Sequence, residues 1–213
     1  PVSMLCGIAV GLVAGALNGV LVAKIHIPLI LATLGTYELF LGIGIIFTKG
    51  KAISKLPMEY SNLITRKLFG LIPVQLIIFA IMAGLISFLL SRTTYGTRIY
   101  MLGTNSKAAE FSGLDTSKLL IKTYALSGIC SALGGLVMLA NYNSARADYG
   151  TVYTLQCILI VVLGGVDPNG GKGRTSGVVF AILVLQMLSS GLNMFPQISN
   201  FYKPLIWGGV LLL

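Results

Sequence analysis

An all-α, polytopic membrane helix bundle is the predicted fold class, and three observations predict it. Mean hydropathy is +0.89, with 55% hydrophobic and only 10% charged residues, a composition far from that of a soluble domain. Five apolar runs, with few or no charges, each approach the ~20 residues that cross a hydrocarbon core about 30 Å thick. The first of them carries glycines at a spacing of four, which lines one helix face and admits a second helix at close range.

The runs follow in order. Met4 to Val22 holds the glycine seam, Gly7, Gly11, Gly15 and Gly19, with Asn18 beside it. His26, the one histidine, stands at a span boundary and reads as an interfacial side chain. Ile27 to Phe47 contains Glu38, an ionisable residue inside a span, which is either functional or paired with a neighbouring helix. Leu71 to Ser91, Thr123 to Ala140 and Gly177 to Phe195 complete the five, the last with Gln186 and Asn193. Val152 to Val166 is apolar but reaches only about 22 Å as a helix, so a short, tilted or half-inserted element is expected. The run from Leu205 stops at Leu213 in mid-span, and Pro1 is neither an initiator methionine nor part of a charged leader. The reading is a single transmembrane domain over 1–213, a fragment truncated at both ends with about six to seven membrane segments.

A net charge of +9 raises the possibility of nucleic acid, but the basic residues sit in short inter-helix loops and are not interleaved with aromatics along one surface. Membrane flanks account for them, so the bilayer is an expected partner and nucleic acid is not. Lys49, Lys51, Lys55, Arg66 and Lys67 crowd one loop, while Arg92, Arg98, Lys107, Lys118 and Lys122 crowd the next, on the opposite side. The positive-inside rule therefore gives no orientation. Cys6, Cys130 and Cys157 lie in apolar runs without paired spacing and are expected to be buried free thiols. No metal, cofactor or catalytic site is expected.

The polar and basic island from Tyr95 to Lys122, between two apolar spans, is expected to be a docking surface. It reads as a short helix on Asn105, Ser106, Lys107, Ala108, Ala109 and Glu110, flanked by Gly103 and Gly113, which supply backbone freedom. The loop from Gly164 to Gly177 imitates two nucleotide motifs and matches neither. A Walker A loop needs a glycine where Val166 stands and Ser or Thr where Gly173 follows Lys172, and a dinucleotide fingerprint needs a preceding strand. What remains is a backbone that bends sharply and packs closely, with Lys172 and Arg174 at the membrane edge.

Together these motifs resemble a known family. YGTRIYMLGTNSKAAEFSGLDTSKLLIKTYALSGICSALGG looks like the cytoplasmic loop and following helix of permease subunits from bacterial ABC importers for simple sugars, such as ribose, galactose, xylose and the autoinducer-2 signal. VVLGGVDPNGGKGRTSGVV and GALNGVLVAKIHIPLILATLGT resemble a later and an earlier stretch of the same subunits. The resemblance covers essentially the whole chain, and the family has about ten membrane segments. It implies that Gly103, Asn105, Lys107, Ala108, Ala109, Glu110, Ser112 and Gly113, within a cytoplasmic loop over 95–118, meet an ATP-binding subunit. Gly164, Gly165, Gly170, Gly171 and Gly173 match the glycine-rich segment. Thr104 stands where a further glycine is frequent, and Asp167-Pro168-Asn169 replaces a smaller or less charged sequence, which bears on substrate.

The resemblance further implies a separate ATPase, an extracytoplasmic substrate-binding protein, a second permease subunit and a sugar cargo, in the bacterial plasma membrane. By parity Lys24 and the Val166 to Ser176 loop lie inside, with the Thr48 to Gly70 and Asn141 to Thr151 loops outside. Asn18, Asn141 and Asn193 are pathway candidates from polarity alone, against the alternative of helix-to-helix hydrogen bonds. Other readings are a permease for branched-chain amino acids or nucleosides, a stand-alone channel or secondary transporter, which would carry more charged pairs in its spans, and a membrane enzyme. For an enzyme only Asp148 with Arg146, or Asp167 with Lys172 and Arg174, comes close to a cluster.

Overall fold

The computed structural model describes residues 2–54, 64–68, 72–167, 170–194 and 203–212. Among them are nine α-helices and four two-residue strands. The helices are α1 (Val2–Ala23), α2 (Leu29–Thr48), α3 (Val74–Arg92), α4 (Thr94–Thr104), α5 (Ser106–Phe111), α6 (Thr116–Tyr142), α7 (Thr151–Leu163), α8 (Thr175–Asn193) and α9 (Lys203–Leu212). The strands are β1 (Ile53–Ser54), β2 (Lys67–Leu68), β3 (Ile72–Pro73) and β4 (Ser144–Ala145). Helices α1, α2, α3, α6 and α8 are long and apolar enough to cross a membrane, as the five apolar runs predict. The short run is the 13-residue α7, about 20 Å long. Lys55, Pro168, Asn169 and Phe195 lie outside the described residues.

Two boundaries differ from expectation for local reasons. The third span starts at Val74 because Ile72–Pro73 pairs with β2 before the helix begins. Helix α6 starts at Thr116, seven residues before the apolar run, because Asp115 caps it: its Oδ1 accepts the Lys118 amide at 3.0 Å. At 27 residues α6 is about 40 Å long and exceeds the hydrocarbon core by two turns.

The described residues form two compact units. One comprises Pro1–Met82 and Ala109–Asp148, the other Ala83–Ala108 and Tyr149–Leu213. In the first, α1 lies antiparallel along α6 on the expected glycine seam. A Cβ on Gly11 would sit 2.6 Å from the Gly128 carbonyl oxygen, and one on Gly15 would overlap the Tyr124 carbonyl. Backbones that close leave no room for a side chain at Gly11, Gly15 or Gly128, and the contact is dispersion along its length. Gly7, at the far end, has only an ordinary contact with Leu136. Thr36 of α2 donates its hydroxyl to Asn18 Oδ1 at 2.7 Å, tying α2 to α1. Strands β1 and β4 pair antiparallel, Ile53 with Ala145, and so join the two loops that parity puts on one side. Ser117 donates to the Ala23 carbonyl at 3.3 Å, joining the other two ends.

In the second unit α7 packs against α8 and α9 around buried Leu159, Leu185 and Trp207. Close approach recurs here, since a Cβ on Gly164 would come within 2.8 Å of Val178 Cα.

Long apolar side chains such as Val10, Val13, Ile46 and Phe47 are exposed. Cys6 and Cys157 are exposed as well, and Cys130 is only half-buried, which corrects the expectation of buried thiols. The physical reason is that helices in a bilayer turn apolar faces outward, so an apolar run does not imply burial within the protein. His26 sits in the turn after α1 at φ 59°, its Nδ1 3.1 Å from the Lys24 carbonyl.

Candidate functional site

The polar island is three helices joined by two tight connections. Helix α3 ends at Arg92, Thr93 caps α4 by accepting the Gly96 amide at 3.4 Å, and α4 runs to Thr104. Asn105 then serves two helices at once. Its own amide donates to the Met101 carbonyl at 3.1 Å, closing α4, while its side-chain oxygen accepts the Ala108 amide at 3.0 Å, opening α5. At the other end Gly113 adopts φ 79° and donates to the Glu110 carbonyl at 2.9 Å, and Leu114 donates to the Ala109 carbonyl at 3.2 Å. This paired closure with a left-handed residue is the Schellman arrangement, which a side chain with a Cβ disfavours. Asp115 follows as the α6 cap, with Lys118 Nζ 2.8 Å from its Oδ2. The hydrogen bond from the Lys118 side chain holds the exposed Asp115 carboxyl below its ordinary value.

Those caps fix which face α5 offers. Ala109 is buried, 3% exposed, whereas Lys107, Ala108, Glu110, Ser112 and Gly113 are exposed. Phe111 is 91% exposed. Ala108 and Phe111, three positions apart, share the outward face, while Ala109, about 100° further round the helix, is buried. Sequence reasoning missed Phe111, although an aromatic side chain in an otherwise polar segment was the available signal.

Gly103 behaves differently from Gly113. It stays helical, and its missing side chain serves close approach: a Cβ there would overlap the Gly171 amide nitrogen, and a Cβ on Gly171 would lie 2.6 Å from Thr104 Oγ1. The Tyr100 hydroxyl donates to the Gly173 carbonyl at 3.0 Å. The glycine-rich loop is thus seated on α4. It leaves α7 through Gly164 and Gly165 (φ 73°), with the Val166 amide bonded to the Val161 carbonyl at 3.1 Å, and turns through Gly170 (φ 93°), Gly171 (φ 78°) and Gly173 (φ 154°). The Asp167 amide donates to the Lys172 carbonyl at 3.0 Å and closes the turn. Two motifs far apart in sequence are one assembly.

Asn18 and Asn141, both in the first unit, are not brought together. Asn18 is bonded to Thr36, Asn141 accepts from Gln75 Nε2, and Asn193 is exposed at the end of α8. Along α6, Asn141 lies about 30 Å from Ile121, which faces the Gly19 neighbourhood of Asn18. Glu38 is exposed on α2, on the side turned away from Ala32 and Thr36. Arg146 Nε and Asp148 Oδ1 are 2.8 Å apart as a partly exposed ion pair.

Comparison with known proteins places this geometry in context. The family described as branched-chain amino acid transport system / permease component matches over residues 1–213. A ribose import permease of Bacillus subtilis is 34% identical over 92% of this chain and 61% of its own length. A D-allose transport system permease of Escherichia coli is 31% identical over 99% of this chain and 64% of its own. An autoinducer 2 import system permease of Escherichia coli is 34% identical over 100% of this chain and 61% of its own. The chain thus spans about three fifths of the length of these curated relatives. No solved structure matches it.

Proposed function

The chain belongs to the family of transport-system permease components, and we propose that it is the membrane-spanning subunit of an ATP-driven bacterial importer carrying a simple sugar across the plasma membrane. The relatives named above support a sugar over a branched-chain amino acid or a nucleoside as cargo. In this reading the two compact units act as one transmembrane domain, paired with a second permease subunit and served by an extracytoplasmic binding protein. Work comes from a separate ATPase subunit, which docks on the cytoplasmic segment 95–118.

One observation carries the docking assignment. A six-residue helix, fixed at both ends by capping hydrogen bonds, presents Ala108 and Phe111 outward from a polar segment. An exposed aromatic on a rigid, water-facing helix is the anchor expected of a protein interface, where a few buried side chains dominate affinity. The connections suit transmission as well as docking. One residue links α5 to α4, four hydrogen-bonded residues link it to α6, and α6 is locked to α1 by the glycine seam. Displacement of α5 by a moving ATPase would then shift α1 and α6 as one body, while α4 carries the glycine-rich loop with it. Packed seams of this kind shift between discrete arrangements instead of deforming gradually.

The test is co-purification of the permease with its ATPase from membranes, beside sugar-stimulated ATP hydrolysis in the reconstituted complex. Phe111→Ala and Ala108→Trp are expected to leave the permease inserted and to abolish or sharply reduce both signals. Full recovery of ATPase and parental hydrolysis in both variants would remove this helix as the docking surface.

A further inference from the structure

A recess of about 470 Å³ opens where the glycine-rich loop meets the start of α8. Tyr100, Gly171, Lys172, Arg174, Ser176 and Gly177 contribute to its wall. Lys172 and Arg174 are exposed there, and among the described residues neither is held in an ion pair. Their backbones are fixed, because the Lys172 carbonyl accepts the Asp167 amide and the neighbouring Gly173 carbonyl accepts the Tyr100 hydroxyl. The recess therefore offers two exposed cations on a rigid frame.

What lies along the same helix narrows the ligand. Ser176 and Gly177 line the recess, and helical spacing puts Phe180, Val184 and Met187 on the same face of α8. All three are exposed, Phe180 by 69% and Met187 by 75%. Helix α8 is apolar and long enough to cross a membrane from Thr175 onward, so the cations stand at the edge of the hydrocarbon layer and the apolar stripe runs into it. We propose that the recess binds the headgroup of an anionic phospholipid, with the acyl chains lying along Phe180, Val184 and Met187. Charge complementarity selects the headgroup, since a zwitterionic lipid brings its own cation and leaves Lys172 and Arg174 uncompensated. The stripe selects a lipid over a free phosphate, which has nothing to lay against it.

The measurement uses the permease in its complete complex, reconstituted in phosphatidylcholine vesicles doped with spin-labelled phosphatidylglycerol or spin-labelled phosphatidylcholine. The motionally restricted fraction should favour phosphatidylglycerol, and Lys172→Gln and Arg174→Gln should each reduce that preference roughly fivefold. Lys49→Gln with Lys51→Gln should leave it unchanged; an equal loss there would make the preference a generic surface-charge effect and overturn the site. A parent without preference, or one retained after both substitutions in the recess, overturns it as well. If the double variant fails to reconstitute, Ser176→Asp puts a repelling carboxylate at the same wall and must give the same loss. A second readout follows the tails. Phe180→Trp should be quenched more by brominated phosphatidylglycerol than by brominated phosphatidylcholine, and the difference should vanish with Lys172→Gln and Arg174→Gln. Displacement of the labelled lipid by inorganic phosphate alone would indicate a free-anion site, and cross-linking of Phe180→Cys to a second copy would indicate a protein-covered face. Either outcome overturns the lipid assignment.

Discussion

Gly103 of α4 and Gly171 of the glycine-rich loop meet backbone to backbone, so closely that a Cβ on Gly103 would overlap the Gly171 amide nitrogen. The contact makes the two most recognisable segments of the chain mutually dependent. Gly103→Ala must push the loop away, and Gly171→Val adds a side chain at φ 78° as well as a clash with Thr104. Overpacking of this kind costs about 1 to 3 kcal/mol. Both variants should lose thermal stability in detergent, Gly171→Val more than Gly103→Ala, whereas Tyr100→Phe, which removes one hydrogen bond, should cost about 1 kcal/mol. Unchanged melting of Gly103→Ala would mean that the loop is not seated on α4.

The seam between α1 and α6 predicts a graded series. Gly11→Leu and Gly15→Leu insert side chains where Gly128 and Tyr124 backbone atoms lie, and should lower the yield of monodisperse permease several-fold. Gly35→Ala, where an added Cβ meets nothing within 4 Å, should be recovered at the parental level. Fluorescence-detected gel filtration of solubilised membranes gives the comparison, and equal yields across the three would remove the seam.

Opposite exposures of Ala108 and Ala109 predict different failures for one substitution. Ala108→Trp should fold and insert yet lose the ATPase, while Ala109→Trp should damage the permease itself, because a buried methyl leaves no room for an indole. Phe111→Ala should weaken ATPase binding tenfold or more, the scale of an anchoring aromatic. Glu110→Lys should act more weakly and fade with added salt, since exposed charges are screened over about 8 Å at physiological ionic strength. Pull-down titrations at two salt concentrations separate these effects.

The Asp115 cap predicts a pH response at the start of α6. Its carboxyl is held below the ordinary 3.8, first by the hydrogen bond from the Lys118 side chain. A depressed carboxyl stabilises the fold above 3.8, and that contribution is lost as pH falls through the lower, folded value. Amide exchange at Lys118 should therefore quicken at the acid end of the range. Asp115→Asn keeps an accepting oxygen without the charge and should show no such step. An identical acid step in that variant would assign the effect elsewhere.

How much of this was legible beforehand depended on the range of the interaction. Hydropathy over twenty residues, glycines every fourth position and a polar segment between apolar runs are local patterns, and they determined five spans, a packed seam along α1 and a polar segment between two of the spans. Gly113 was legible too, because a chain leaving a helix sharply needs a left-handed residue nearby. Partnership was not legible. Nothing near Gly11 names α6 as the helix it meets, and nothing near Gly103 names Gly171, 68 positions away. The same limit explains the cysteines, whose apolar surroundings in sequence are equally compatible with facing lipid or facing protein. It explains the alanine pair as well, since nothing in the local sequence says that Ala109 turns inward while Ala108 and Phe111 face out. Sequence by itself determined which segments enter the membrane, because transfer into hydrocarbon is additive along a single helix. Tertiary structure alone decided which backbones touch and which side chains remain outside, because those depend on how one helix is rotated against another.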